Sequence, residues 1–159
     1  MKIVLASDHR GLDVRGMILE YLRTLPEHTA LLVDEQFSKN ADYPDIAAKV
    51  AQLVSSGAVD RGILICGTGI GMCVVANKFP GIRAAPCHNE VIAELSRKHN
   101  DSNILCLSGD LLGERSSVAI VAMWLAAPFE GNRHCVRLEK IQQIETTNLP
   151  LKQGEETLN

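Results

Sequence analysis

Gly62-Ile63-Leu64-Ile65-Cys66-Gly67-Thr68-Gly69-Ile70-Gly71-Met72 is an apolar run that empties into a cysteine and then three alternating glycines. A run that is apolar without alternation is what a strand covered on both faces requires, as at the centre of a parallel sheet. Alternating glycines let the backbone take positive φ and approach a ligand closely. At a helix start such a loop offers free N–H groups and the positive end of the helix dipole to an anion. The stretch therefore predicts strand, thiol, anion-binding loop and helix in immediate succession. The chemistry it suggests is a thiol base or nucleophile beside an oxyanion or phosphate site.

Outward from this segment, short β-rich runs alternate with longer helical patterns, the signature of a parallel sheet with crossover helices. Strands are expected over residues 2–6, 29–33, 62–66, 82–85 and 103–107. Helices are expected over residues 11–25, 44–54, 72–77, 89–99, 113–125 and 133–145, the second opened by Pro44 in its first turn. A polar loop covers 34–42, and the polar stretch 146–159, with Pro150 and Gly154, reads as a tail that is mobile or docks on a partner subunit. The organisation is one α/β domain over 1–145 followed by that tail. In such sheets ligands bind beyond the carboxyl ends of the strands. Three polar groups fall there: Ser7-Asp8-His9, the Cys66 loop, and Ser108-Gly109-Asp110.

Composition narrows the function classes. With 159 residues and 46% hydrophobic content the chain is long enough to build a full core without disulfides or metals. A formal charge of -3 gives no broad electrostatic footprint for nucleic acid. Five cysteines, Cys66, Cys73, Cys87, Cys106 and Cys135, are odd in number and form no C-x-x-C pair, which reads as reduced thiols in a cytoplasm. Met1-Lys2 leads directly into a strand-like run, and no apolar stretch reaches the ~18 residues of a membrane span. A cytoplasmic protein with neither membrane nor nucleic-acid partner is the expectation.

The glycine loop is not a P-loop, because the G-x-x-x-x-G-K-[ST] spacing is absent. Gly67-x-Gly69-x-Gly71 is also not a dinucleotide fingerprint, since Met72 occupies the final glycine position. A cysteine phosphatase needs an arginine six residues after its nucleophile, where Met72 again stands. Thiols at helix starts ionise more readily than free ones, which makes Cys66 competent as a base. The plainer alternative is a tight turn with a core cysteine.

The other candidates each carry two readings. Asp8 is an N-cap or a ligand group beside His9. His99 and Asn100 close a cationic helix end, where such residues favour the dipole, or they join the cysteine loop in chemistry. Arg133 and Arg137, four apart on one helix face, form a solvated face or a phosphate clamp. No His/Cys/Asp/Glu spacing makes a credible metal site.

Taken with Ala76-Asn77-Lys78-Phe79, Gly81-Ile82-Arg83-Ala84, Leu95-Ser96-Arg97-Lys98-His99-Asn100-Asp101 and Glu130-Gly131-x-Arg133-His134, these motifs make the chain resemble the ribose-5-phosphate isomerase B family from the first strand to about residue 145. That family also contains allose- and galactose-6-phosphate isomerases. The resemblance implies a three-layer Rossmann-like sandwich with a central five-stranded parallel sheet. It implies metal-free, cofactor-free aldose–ketose isomerisation of a sugar phosphate, in a homodimer or dimer of dimers whose sites are shared between chains.

Carried over by position, Cys66 is the base that moves a proton between C2 and C1, and His99, assisted by Thr68, is the acid that opens the sugar ring. The N–H groups of Gly67, Thr68, Gly69, Ile70 and Gly71 hold the enediolate oxygen. Asp8 and Asn100 bind hydroxyls, while His9, Arg133 and Arg137 hold the phosphate. One departure bears on substrate: the family pattern has an Arg where Asp110 stands. The expected substrate is ribose 5-phosphate, with a six-carbon aldose 6-phosphate as the alternative. A non-catalytic sugar-phosphate sensor and a thiol hydrolase built on Cys66 and His99 are the rivals from other classes.

Overall fold

The computed structural model describes residues 1–33 and 42–148. Five parallel strands form one sheet: β1 (Lys2–Ser7), β2 (Thr29–Leu32), β3 (Arg61–Cys66), β4 (Ala84–Pro86) and β5 (Ile104–Ser108), in the spatial order β2-β1-β3-β5-β4. Among the described residues six helices accompany the sheet, the first four between strands and the last two after β5: α1 (Leu12–Arg23), α2 (Tyr43–Ser55), α3 (Ile70–Ala76), α4 (Glu90–Asn100), α5 (Glu114–Ala126) and α6 (Arg133–Asn148). A short 3-10 turn, His9–Gly11, leads into α1.

Alternation along each strand sends side chains into two cores. Val4, Ala6, Leu64 and Cys106 meet Ile46, Val50 and Val54 of α2 and Met72 and Ala76 of α3 on one face. Ile3, Leu5, Ile63, Ile65, Leu105 and Leu107 meet Val14, Ile18 and Leu22 of α1, Ala93 of α4 and Ile120 and Trp124 of α5 on the other. Both faces of β3 are covered, which is why its sequence shows no polar alternation. The outcome is the expected three-layer α/β sandwich.

Helix ends follow local chemistry. Pro44 stands in the first turn of α2 after Asp42. Asn89 caps α4, its side-chain oxygen accepting from the Ile92 N–H at 2.8 Å, and Asp101 closes that helix in the left-handed region at φ +46.

Some boundaries differ from expectation. β4 starts at Ala84 instead of 82, because the Arg83 N–H donates to the Asn103 side chain at 2.8 Å and not to a strand. α3 starts two residues earlier than expected, immediately after Gly69, and α6 runs on to Asn148. The expected polar loop, apart from Asp42, and the tail from residue 149 onward lie outside the described residues. Among the described residues no helix is long and apolar enough to cross a membrane.

This topology locates the site. The chain moves outward from β1 to β2, then returns to lay β3 on the other side of β1. Crevices at such reversals, beyond the carboxyl ends of the strands, are where sheets of this class bind ligands. Cys66 pairs in register with Ser108, and Ser7 with Ile65, so the three polar loops end at that one edge.

Candidate active site

Cys66 is the last residue of β3 and is 5% exposed. Its Sγ accepts a hydrogen bond from the Gly69 N–H at 3.2 Å, so a donor already faces the position where a thiolate would carry its charge. Gly69 reaches this position at φ +77, and a Cβ there would stand 3.0 Å from the Leu107 carbonyl carbon and oxygen. Only glycine meets both conditions.

Of the other donors expected to face the ligand, the Ile70 N–H is taken by Thr68 Oγ1 at 3.3 Å. The N–H groups of Gly67, Thr68 and Gly71 make no hydrogen bond among the described residues. These three form the anion-facing part of the loop. The α3 N-terminus behind them adds its positive dipole end.

Neighbouring loops fix this one in place. Ser108 Oγ donates to the Gly67 carbonyl at 2.6 Å and accepts from the Leu111 N–H at 2.9 Å. The Gly109 N–H donates to the Cys66 carbonyl at 2.8 Å, and the Asp110 N–H to the Gly67 carbonyl at 3.2 Å. Asp8 is 7% exposed, its N–H donates to the Ile65 carbonyl, and its Oδ1 accepts from the Arg10 N–H at 2.9 Å. Asp8 is thus an N-cap, of the 3-10 turn and not of α1, with a second oxygen left for a ligand. His9 beside it is exposed.

Two contacts here were not legible in the sequence. The Tyr43 ring packs over Gly71, where a Cβ would stand 2.7 Å from it. Asp110 is ion-paired with Arg10, which holds Asp110's charge close to a cation of the same chain.

The remaining candidates form a second cluster. His99 and Asn100 end α4, Arg133 and Arg137 begin α6, and the rings of His99 and His134 stack at 4.4 Å and 6°. Glu130 Oε2 lies 3.9 Å from Nε2 of both histidines, and Lys98 Nζ stands 3.9 Å from the other Glu130 oxygen. Arg133 Nε donates to His134 Nε2 at 3.4 Å. Burial first, then the charges of His99, Arg133 and Arg137, push the His134 pKa below its ordinary value, against the pull of Glu130.

His99, Glu130 and His134 bring three potential metal-ligand atoms within 4.8 Å of one another, a grouping that sequence spacing did not reveal. Lys98, Arg133 and Arg137 around them give the cluster a cationic surround that suits an anion better than a metal ion.

The two clusters sit at opposite edges of the sheet. Asn100 precedes β5, and its carbonyl accepts from Arg83 just before β4, so it lies at the edge where the strands begin. Cys66 lies where they end. The Gly62-to-Cys66 span alone separates these edges by about 13 Å at ~3.3 Å per residue. One chain therefore brings together Asp8, His9, Cys66, Thr68 and the glycines, and separately His99, Asn100, Arg133 and Arg137.

Of the remaining thiols, Cys73, Cys87 and Cys106 are buried and Cys135 is half-buried. Burial pushes the Cys87 thiol up to about 11, and Cys106 is held well above its ordinary value by its hydrogen bond with Cys73 and by burial.

A sequence profile described as ribose/galactose isomerase matches residues 3–141. The chain is 42% identical over 146 residues to the ribose-5-phosphate isomerase B of Escherichia coli, covering 91% of this chain and 96% of that one. Its fold matches a ribose-5-phosphate isomerase B of Clostridium thermocellum with a TM-score of 0.87 at 44% identity, over 92% of this chain and 99% of that one. It also matches the Mycoplasma genitalium ribose-5-phosphate isomerase B solved with bound ribulose-5-phosphate, with a TM-score of 0.85 at 41% identity, over 91% and 96%.

Proposed function

This chain belongs to the ribose/galactose isomerase family and is a sugar-phosphate isomerase, and we propose that it interconverts ribose 5-phosphate and ribulose 5-phosphate with Cys66 as the base. The observation that carries this reading is the Gly69 N–H on Cys66 Sγ beside the free donors of Gly67, Thr68 and Gly71. Isomerisation of an α-hydroxy aldehyde needs a base at C2 and N–H groups on the oxygens that gain charge as the proton leaves. As the sugar opens, His99 donates a proton to the ring oxygen while the C1 hydroxyl gives up its own, so the aldehyde forms and, once that proton returns to the imidazole, there is no net proton gain. The Cys66 thiolate then takes the C2 proton and leaves a cis-enediolate on the loop donors. The C2 hydroxyl proton moves to O1, which shifts the charge to O2, and the thiol then returns its proton to C1 as the C2 carbonyl forms, without net oxidation.

Asp8 and Asn100 bind the sugar hydroxyls in this scheme, and His9, Arg133 and Arg137 the phosphate. The roughly 13 Å between the two clusters supports a site completed by a second copy, in a dimer or dimer of dimers in which His99, Asn100, Arg133 and Arg137 of one chain face Cys66 of the other. The reaction fits the non-oxidative branch of the pentose phosphate pathway, in a cytoplasmic setting.

The six-carbon alternative rests on Asp110 standing where the family pattern has an Arg. Both of its oxygens accept from Arg10 Nε, at 3.0 and 2.9 Å, which supports the five-carbon reading. Assays on ribose 5-phosphate, allose 6-phosphate and galactose 6-phosphate test it. The highest kcat/KM is expected on ribose 5-phosphate, and a far larger value on either hexose phosphate would defeat the assignment. A thiol hydrolase would instead leave a covalent adduct on Cys66, visible by mass spectrometry during turnover.

A further inference from the structure

Arg10 has no role in the scheme above, yet it is held at the centre of the Cys66 edge. It follows His9 in the loop after β1, and Asp110 lies in the loop after β5, so their ion pair spans the two loops that flank the glycines. Arg10 Nε lies 3.0 and 2.9 Å from the two Asp110 oxygens, and its Nη2 lies 2.7 Å from Oδ2. A Cβ on Gly67 would stand 2.9 Å from Asp110 Oδ2 and 3.1 Å from Arg10 Nε, so the pair rests directly against the loop backbone.

Stability does not account for this arrangement. The two side chains are 55% and 33% exposed, and exposed ion pairs contribute little to folding. What the pair provides is a guanidinium of fixed position. Asp110 occupies the Nε–Nη2 edge, and the Nη1–Nη2 edge remains, the second face on which this planar group receives an oxyanion in two parallel hydrogen bonds. The exposed His9 and the free Gly67 N–H belong to the same edge.

We propose that Arg10, held by Asp110 against Gly67, binds the substrate phosphate and is the cation that the Cys66-bearing chain itself contributes to that group. The inference rests on the sugar-phosphate reading for the identity of the ligand. Asp110 is a positioning residue: it fixes the guanidinium while offsetting part of its charge. A substrate without a phosphate gains nothing from this pair.

Steady-state kinetics on ribose 5-phosphate, with calorimetric titration of inorganic phosphate, test the proposal in Arg10→Gln, Arg10→Lys, Asp110→Asn and the Arg10→Gln/Asp110→Asn double variant. Thermal unfolding of each checks that it folds. Losing a charge-assisted fork predicts that Arg10→Gln raises KM by about 10–100-fold with kcat changed by less than ~3-fold, and weakens inorganic phosphate in parallel. Arg10→Lys keeps the charge but not the fork, and is expected to fall between wild type and Arg10→Gln. Asp110→Asn frees the guanidinium and should raise KM by about 3–10-fold, with little added effect in the Arg10→Gln background, the mark of a residue acting through another.

A folded Arg10→Gln enzyme with KM and phosphate affinity within ~2-fold of wild type would overturn the proposal while leaving the isomerase reading in place. Conversely, Arg10-dependent phosphate binding in a protein that turns over none of the three sugar phosphates would sustain the proposal and end that reading.

Discussion

Gly69→Ala is the change that most sharply separates a loop built for chemistry from a loop that merely turns. The residue sits at φ +77, and an L side chain in the left-handed region costs about 1–2 kcal/mol. Its Cβ would stand 3.0 Å from the carbonyl carbon and oxygen of Leu107, which is wholly buried in β5 and cannot yield as a flexible side chain can. The loop must move instead, and the Gly69 N–H leaves Cys66 Sγ.

A hydrogen bond to a charged group is worth ~1.5–3 kcal/mol, so kcat should fall by about 10–150-fold. Folding should lose ~2–3 kcal/mol, or roughly 4–12 °C in Tm at 2–4 °C per kcal/mol for a chain of this size. The control is Gly16→Ala, where the added Cβ meets nothing within 4 Å in mid-α1 and helix propensity predicts a gain of about 0.5–1 kcal/mol. Aldose-to-ketose conversion at saturating substrate and thermal melts of both variants read the outcome. A Gly69→Ala enzyme with kcat within ~2-fold and Tm within about 1 °C of wild type would refute the reasoning about this loop.

Two further outcomes are expected. Mixing Cys66→Ala and His99→Ala chains under conditions that exchange subunits should restore about a quarter of wild-type activity, since half of randomly paired dimers are mixed and each mixed dimer has one intact site; no recovery after verified exchange would place both residues in one chain's site. The His134 pKa is lowered from 6.5 in the folded chain, so the unfolded chain takes up the proton first and stability falls as pH drops below that value. Urea midpoints at pH 7.5 and 5.5 should therefore differ in that sense, and His134→Phe should flatten the difference while keeping a ring stacked on His99.

The strands were legible because a parallel sheet covered on both faces needs uninterrupted Val, Ile and Leu, which β1, β3 and β5 have. The Cys66 loop was legible because its glycines are adjacent in the chain. β4 was misplaced by two residues, since the Asn103 side chain takes the Arg83 N–H in place of strand pairing just before Ala84. No pattern of hydropathy records such bonds.

Arg10 and Asp110 lie 100 positions apart and meet only because β1 and β5 end at the same edge. The stack of His99 on His134 likewise joins two helices that only tertiary packing brings together. Motif reading also grouped His99 and Arg133 with Cys66 as one constellation. In the fold they lie at opposite edges, and the alternation of strand and helix that predicts the sheet already implies that helix C-termini return to the far side.

The central claim is that Cys66 moves a proton between C2 and C1. Incubation of ribose 5-phosphate with the enzyme in deuterium oxide, followed by NMR, measures it most directly. The account predicts exchange of the transferred proton with solvent by the wild-type chain, and loss of both exchange and turnover by about 10²–10⁴-fold in a folded Cys66→Ala chain. Undiminished exchange in that variant would contradict the account and assign the base to another group.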